Sequence, residues 1–261
     1  QINNNNVAIR IGGDEFLILL RKVNSVVKIE QYINQLQEIV TTPFVINNNE
    51  IYLGFSLGIA RYPDDAATTY KLITRADTAM YQAKDLPNRD YLYYNQQMIT
   101  KIKSKKDIKE KLRLAIKNDS FKLKYQPQIN LSTGKAEYLE ALIRLKNYNI
   151  SPGKFIPVAE ESGLITEIGR WVTKEAIEQL AVYKHKKDCP AKISINFSVQ
   201  QLNDTGYIEF LRETLSENNV DPNCLEIEIT ESVLIQKEQE AIEFLNQLSE
   251  LGVKLALDDF G

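Results

Sequence analysis

Two cysteines, one histidine, one tryptophan and two methionines in 261 residues leave little material for thiol, haem or zinc chemistry. Cys189 and Cys224 have neither redox-pair nor zinc-ligand spacing, which favours a reducing compartment. His185 sits in Tyr183-Lys-His-Lys-Lys187 and is expected to face solvent. No apolar run approaches the roughly 18 residues of a membrane span, and no signal peptide is recognisable. A cytoplasmic location is therefore expected, with any membrane or sensory region belonging to a longer parent. An excess of basic charge is missing too: the net charge is −3, so there is no electrostatic reason to expect duplex nucleic acid as a partner. The one lysine-rich run, 101–111, is interleaved with Ile and Asp and reads as a solvated helix face.

What the chain has instead is an ordinary globular composition, 43% hydrophobic and 26% charged, with enough length for two domains. Four strand-like segments carry oxygen ligands: 138–144 with Glu140, 192–196 with Asn196, 225–231 with Glu228, and 253–261 with Asp258 and Asp259. A carboxylate among Leu and Ile is costly to bury unless something pairs with it, and a metal ion does so. Helical patterns at 171–186 and 236–251 separate these segments, with Ile177, Leu180 and Ala181 as ordinary helix core. Strand and helix alternate as in a parallel α/β sheet or barrel, whose active site lies at the strands' C-terminal ends. Carboxylate and amide oxygens are hard ligands that suit Mg²⁺ or Mn²⁺. Glu226, two residues before Glu228 on the same strand face, reads as an ordinary solvated strand residue, with support behind the site as the alternative.

Six motifs occur in order: Tyr125-Gln-Pro127, Glu140-Ala-Leu-Ile-Arg144, Phe155-Ile-Pro-Val-Ala-Glu160, Asn196-Phe-Ser198, Glu228-Ile-Thr-Glu231 and Asp258-Asp-Phe-Gly261. In these the second half resembles the EAL family of cyclic di-GMP phosphodiesterases. The resemblance implies a (β/α) barrel in which Glu140, Asn196, Glu228 and Asp258 hold one Mg²⁺ or Mn²⁺ and Asp259 contributes to a second. It further implies that Gln126 and Arg144 contact the dinucleotide, and that Glu140, Asp259 and Glu231 form the catalytic set, Glu231 bracing the loop beside the metals. Hydrolysis of a phosphodiester by two metal ions agrees with these residue types, and the guanidinium fork of Arg144 suits a phosphate.

The first half carries Arg10-Ile-Gly-Gly-Asp-Glu-Phe16. Residues 7–11 alternate and 16–20 are apolar, so Gly12, Gly13, Asp14 and Glu15 read as a hairpin turn between two strands. Two glycines let backbone approach a bulky anion, and Asp14 and Glu15 at the tip could hold Mg²⁺ beside a triphosphate. With Ser56-Leu-Gly-Ile-Ala60 and Ala76-Asp-Thr-Ala-Met-Tyr-Gln-Ala-Lys84, this half is similar to the GGDEF family of diguanylate cyclases. That resemblance implies GTP as ligand and places Lys84 near its terminal phosphates. Two positions depart from the family pattern. Asn88 stands where a phosphate-gripping Arg is usual, with Arg89 one place late after Pro87, and Asn3 and Asn6 replace the charged pair of the product-inhibition site. The segment 3–6 itself reads as a polar loop.

The fold expected is α/β: the C-terminal half of a GGDEF α/β sandwich over residues 1–95, a connecting helix at 96–110, and a partial EAL barrel over 111–261. Because a barrel takes about 250 residues, the chain is expected to be an internal piece that binds weakly and does not turn over alone, the intact parent being the enzyme. The function expected of that parent is hydrolysis of cyclic di-GMP to linear pGpG, the first half being mainly regulatory. A non-catalytic sensor of GTP or cyclic di-GMP, and a bifunctional cyclase and phosphodiesterase, are the alternatives. A homodimer through the EAL half is a further expected partner.

Overall fold

Alternation of side chains along the strands fixes the architecture, because each strand of the second half offers one apolar and one polar face. The computed structural model describes residues 6–23, 25–84, 86, 90–185, 192–230 and 238–258. The chain divides into two compact units, Gln1–Thr100 and Lys101–Gly261.

In the first unit β1 (Val7–Gly12) and β2 (Glu15–Leu19) form an antiparallel hairpin, Arg10 opposite Phe16 and Gly12 opposite Glu15. Helix α1 (Val26–Thr41) starts at Ser25, whose hydroxyl accepts from the Lys28 amide. A second hairpin joins β3 (Phe44–Ile46) to β4 (Asn49–Ile51) through Asn47 and Asn48, both at positive φ, the conformation a two-residue hairpin turn requires. Strand β5 (Leu57–Ile59) pairs in parallel with β6 (Tyr91–Tyr93), and α2 (Thr69–Lys84) packs on both. The helix comes so near that a Cβ on Gly58 would stand 1.8 Å from the Ala76 carbonyl oxygen. Only glycine fits there.

Helix α3 (Gln96–Lys117) contributes Met98 to the core of the first unit, and Ile108, Leu112 and Ala115 to that of the second. The second unit continues with β7 (Phe121–Ile129), β8 (Ala136–Leu145), α4 (Pro152–Glu161), α5 (Ile165–Tyr183), β9 (Ile193–Phe197), a short 3-10 helix (Val199–Asn203), α6 (Tyr207–Glu217), β10 (Leu225–Thr230), α7 (Glu238–Leu251) and β11 (Lys254–Asp258). These strands form one sheet in the order β11-β10-β9-β8-β7. Strands β8 to β11 run parallel as expected, but β7 and β8 are an antiparallel hairpin. Its turn is built by Asn130, whose side chain accepts from the Ser132 and Thr133 amides, and by Gly134 at φ +65. Helix α5 begins six residues before the 171–186 pattern, because Ile165 and Ile168 are also buried.

One face of this sheet, with Phe121, Leu139, Ile193, Ile195, Leu225 and Ile227, packs against α4 to α7 through Phe155, Ile177, Leu211 and Leu248. Truncating any one of these buried residues to Ala is expected to cost about 2–5 kcal/mol. The helix layer is fastened by Arg170, whose Nε and a terminal nitrogen donate to the two oxygens of Asp204 at 2.6 Å each. Beside it the buried hydroxyls of Thr173 and Tyr207 lie 2.8 Å apart. Among the described residues no helix is long and apolar enough to cross a membrane.

The Arg170 bond holds the Asp204 carboxyl below its ordinary value. Its stabilising effect is therefore complete above the unfolded pKa of about 3.9 and is lost as pH falls through the lower folded value. Asp204→Asn should reduce unfolding free energy by about 1–2 kcal/mol at pH 7, discounted because the Arg170 side chain is 38% exposed. Urea unfolding should show the difference from wild type shrinking below roughly pH 4; a difference that grew on acidification would contradict the pairing.

Candidate active site

Residues in register on neighbouring strands share a face, so the pairing of the sheet decides which polar groups meet. Gln126 of β7 lies opposite Glu140 of β8, and Glu140 is level with Ser194 of β9. Asn196 of β9 is level with Glu228 of β10, and Thr230 with Asp258 of β11. Steps of two residues put Glu140, Arg144, Ser194, Asn196, Glu228 and Asp258 on one face, opposite the helices. Glu140 does not end its strand, contrary to the sequence-based expectation: β8 runs five residues further, to Leu145, whose side chain is buried.

Asn196 Nδ2 donates to Glu140 Oε1 at 3.0 Å, and Gln128 Nε2 donates to Glu228 Oε1 at 3.3 Å. Glu228 is buried, with 8% of its surface exposed. Burial raises its carboxyl above the ordinary value, and the carboxylates of Glu140 and Asp258 act in the same direction, against the opposing influence of Ser194 and Gln128. Ser194 Oγ is buried beside this carboxylate without a hydrogen bond of ordinary geometry. Burial also raises Glu226, opposed by Tyr138, Lys192 and Lys254. The Lys192 ammonium lies over the Tyr138 ring, 4.8 Å from its centre.

The donors converge pairwise. Among the described residues no three His, Cys, Asp or Glu side chains stand close enough to grip one ion together. The donor chemistry nevertheless fits a hard divalent cation: carboxylates and one amide on adjacent strands, one carboxylate buried beside the Ser194 hydroxyl. Gln126 is exposed on the same face, and a terminal nitrogen of Arg144 donates to the Ile143 carbonyl at 2.8 Å. Glu231 and Asp259 lie outside the described residues.

Three contributors carry roles that the sequence did not assign, although Ser198 and its partner Glu160 each close one of the six motifs. Gln128 shares the face of Gln126, so alternation along β7 was the available signal, but its partner is a hundred residues away. Ser194 was legible only as a small residue two before Asn196. Ser198 donates its hydroxyl to Glu160 Oε1 at 2.6 Å, tying the end of β9 to α4. The same hydroxyl caps the 3-10 helix, while Gln201 Oε1 accepts from the Ser198 amide. Glu160 and Ser198 therefore fix the exit of the strand that carries Asn196.

In the first unit the turn 12–15 stands in the open: Gly13 has φ +54, and a Cβ on Gly12 or Gly13 would meet nothing within 4 Å. The Arg10 guanidinium clamps the turn by donating twice to the Gly13 carbonyl, at 3.0 and 2.8 Å. Asp14, Glu15 and Lys84 are exposed, and among the described residues no ion pair joins Lys84 to either carboxylate. Asn6 is a structural residue that donates to the Tyr32 hydroxyl and accepts from the Arg21 amide. Asn3, Pro87, Asn88, Arg89 and Cys189 lie outside the described residues.

Removing the tie below Asn196 gives a direct check. Glu160→Ala should cost about 1 kcal/mol and speed amide exchange across Val199–Asn203 by about fivefold or more relative to α5. Unchanged exchange in that segment would mean that the Ser198 bond does not hold the turn.

The EAL domain model matches residues 109–261, and the model described as diguanylate cyclase, GGDEF domain, matches residues 1–90. The signaling protein YkoW of Bacillus subtilis is 35% identical over all of this chain and 33% of its own length. The cyclic di-GMP phosphodiesterase PdeR of Escherichia coli is 34% identical over all of this chain and 39% of its own length. A solved complex of the PaMucR phosphodiesterase with c-di-GMP matches with a TM-score of 0.55 and 33% identity, over 59% of this chain and 64% of that one. The chain spans about a third of the length of the curated relatives it matches.

Proposed function

The chain belongs to the EAL domain family, and from that premise we propose that its second unit hydrolyses cyclic di-GMP to linear pGpG within a cyclic di-GMP signalling protein. The observation that carries this reading is the set of oxygen donors along one sheet face, Glu140 bonded to Asn196 and Glu228 buried beside them. Relatives named as cyclic di-GMP phosphodiesterases support it.

Glu140, Asn196, Glu228 and Asp258 would hold one Mg²⁺ or Mn²⁺, and Asp259 would take part in holding a second. Such ions supply Lewis-acid stabilisation of charge on phosphoryl oxygens and lower the pKa of water. The chain's own part is to position and to exclude. Asn196 orients the Glu140 carboxylate. Gln126 and Arg144, on the face of Glu140, would hold the dinucleotide, with Arg144 exchanging its bond to the Ile143 carbonyl for a phosphate oxygen. Glu231 would brace the adjoining loop. Burial of Glu228 keeps water from one side of its carboxylate, strengthening its attraction to a cation.

The first unit would act as a GTP-responsive regulator, its open turn at Gly12, Gly13, Asp14 and Glu15 receiving the phosphates and Lys84 lying near their end. The protein would work in the cytoplasm, with a homodimer through the second unit as its assembly.

Two outcomes are expected in the full-length protein. Glu140→Ala should lower hydrolysis of cyclic di-GMP by about a hundredfold or more, followed by chromatography of pGpG; retention of wild-type turnover would show that Glu140 holds no essential ion. With hydrolysis blocked in that variant, synthesis of cyclic di-GMP from GTP should be weak or absent, because Asn88 stands in place of a phosphate-gripping Arg. Efficient synthesis would make the protein bifunctional.

A further inference from the structure

Gln128 and Glu228 meet although their strands are not neighbours. Strand β7 lies at one edge of the sheet, and β8 and β9 separate it from β10. Three strand intervals of about 4.8 Å amount to about 14 Å across a flat sheet. The register adds a second separation. Pro127, Leu139, Ile193 and Leu225 are level, so Glu228 lies four residues, about 13 Å, further along than Gln128. That diagonal exceeds what a Gln and a Glu side chain span end to end. The bond of 3.3 Å therefore exists because the sheet curls its polar face inward.

The local backbone is shaped for the same contact. The pairing of β7 with β8 slips between Gln128 and Ile129: Gln128 faces Tyr138, Ile129 faces Ala136, and Glu137 is left over. Such bulges bend a strand and re-aim side chains. Asn130 Nδ2 takes up the surplus residue by donating to Glu137 Oε1 at 2.8 Å. Pro127, with no amide hydrogen, stands just before Gln128 on an edge strand, where a missing donor costs the sheet no ladder bond. The irregularity and the proline flank Gln128, whose side chain reaches β10.

Resting on the function proposed above, we infer that Gln128 is a positioning residue: its amide holds one oxygen of Glu228 so that the other is turned to a divalent cation. A carboxylate offers two oxygens and about four acceptor positions, so the bond to Gln128 and a bond to an ion are compatible. Glu228 turns about its side-chain torsions unless something fixes it, and the Gln128 amide bonds directly to one of its oxygens. Loss of such an orienting partner typically weakens metal affinity 10- to 100-fold.

The test uses the full-length protein, freed of metal and titrated with Mn²⁺, the free ion being followed by electron paramagnetic resonance. Gln128→Met keeps the volume and removes the donor; Gln128→Asn keeps the amide on a stem one carbon too short. Each should raise the Mn²⁺ dissociation constant about tenfold. Each should also shift the Mn²⁺ requirement of hydrolysis by the same factor, leaving the KM for cyclic di-GMP at saturating Mn²⁺ within about twofold of wild type. Using both variants keeps the test open if one fails to fold, judged by its circular dichroism melt. Wild-type Mn²⁺ affinity in a folded Gln128 variant, with affinity lost in Glu228→Ala, would overturn the role of Gln128 and leave the proposed function standing. Wild-type affinity in Glu228→Ala would overturn both.

Discussion

Everything in the second unit depends on one face of a five-stranded sheet being buried beneath helices. A strand cannot bury Ile193, Ile195 and Phe197 without turning Ser194 and Asn196 the other way, and the same holds for Leu225, Ile227 and Ile229 against Glu226 and Glu228. The hydrophobic effect thus selects the face, and hydrogen bonding between strands sets the height at which each donor stands. Slipping β10 by one residue would bury two carboxylates under α6 and α7. That alternative is far more costly than any gain the site itself could return.

The faces were legible in the sequence because period-two alternation is local. So were β9, β10 and β11 and the helices α5 and α7, though not α6, since apolar positions at helical spacing alternate with strand runs. The β7–β8 hairpin was not legible as such, although Asn130 and Gly134 carry the turn chemistry for it, because the strand–helix alternation that follows is that of a parallel sheet. The height of Glu140 within β8 was missed for a related reason. Residues 141–145 continue the alternation, and only the partner strand shows where the ladder stops. Strands of three residues, such as β5 and β6, lie below what a single sequence can signal.

Contacts that fix side-chain orientation were the least legible. The Ser198 bond to Glu160 and the Arg170 pairing with Asp204 each join residues more than thirty positions apart. Ser198 and Glu160 each close a recognisable motif, but neither motif shows that the two residues bond to one another. Both bonds surround the exit of β9, so the backbone carrying Asn196 is held by groups with no chemistry of their own to announce them. In the first unit the position is reversed: Gly12 and Gly13 were conspicuous in sequence, whereas Gly58, where the close approach is severe, was only part of a motif.

The curl that brings Gln128 to Glu228 also bears on the order in which the molecule acquires its parts. The hairpin partner of Gln128 is ten residues away, at Tyr138, while Glu228 is a hundred residues away. Closing the longer loop costs about 2 kcal/mol more chain entropy than closing the shorter one, and contacts of high sequence separation form late. During synthesis the hairpin and α4 can assemble while β10 is still within the ribosome. The apolar face is then left to chaperones or to transient collapse until the strand bearing Glu228 emerges. The cell thus meets the scaffold of this molecule before it meets its carboxylates as a set, and a nascent chain passes through a stage in which it is sticky but chemically inert.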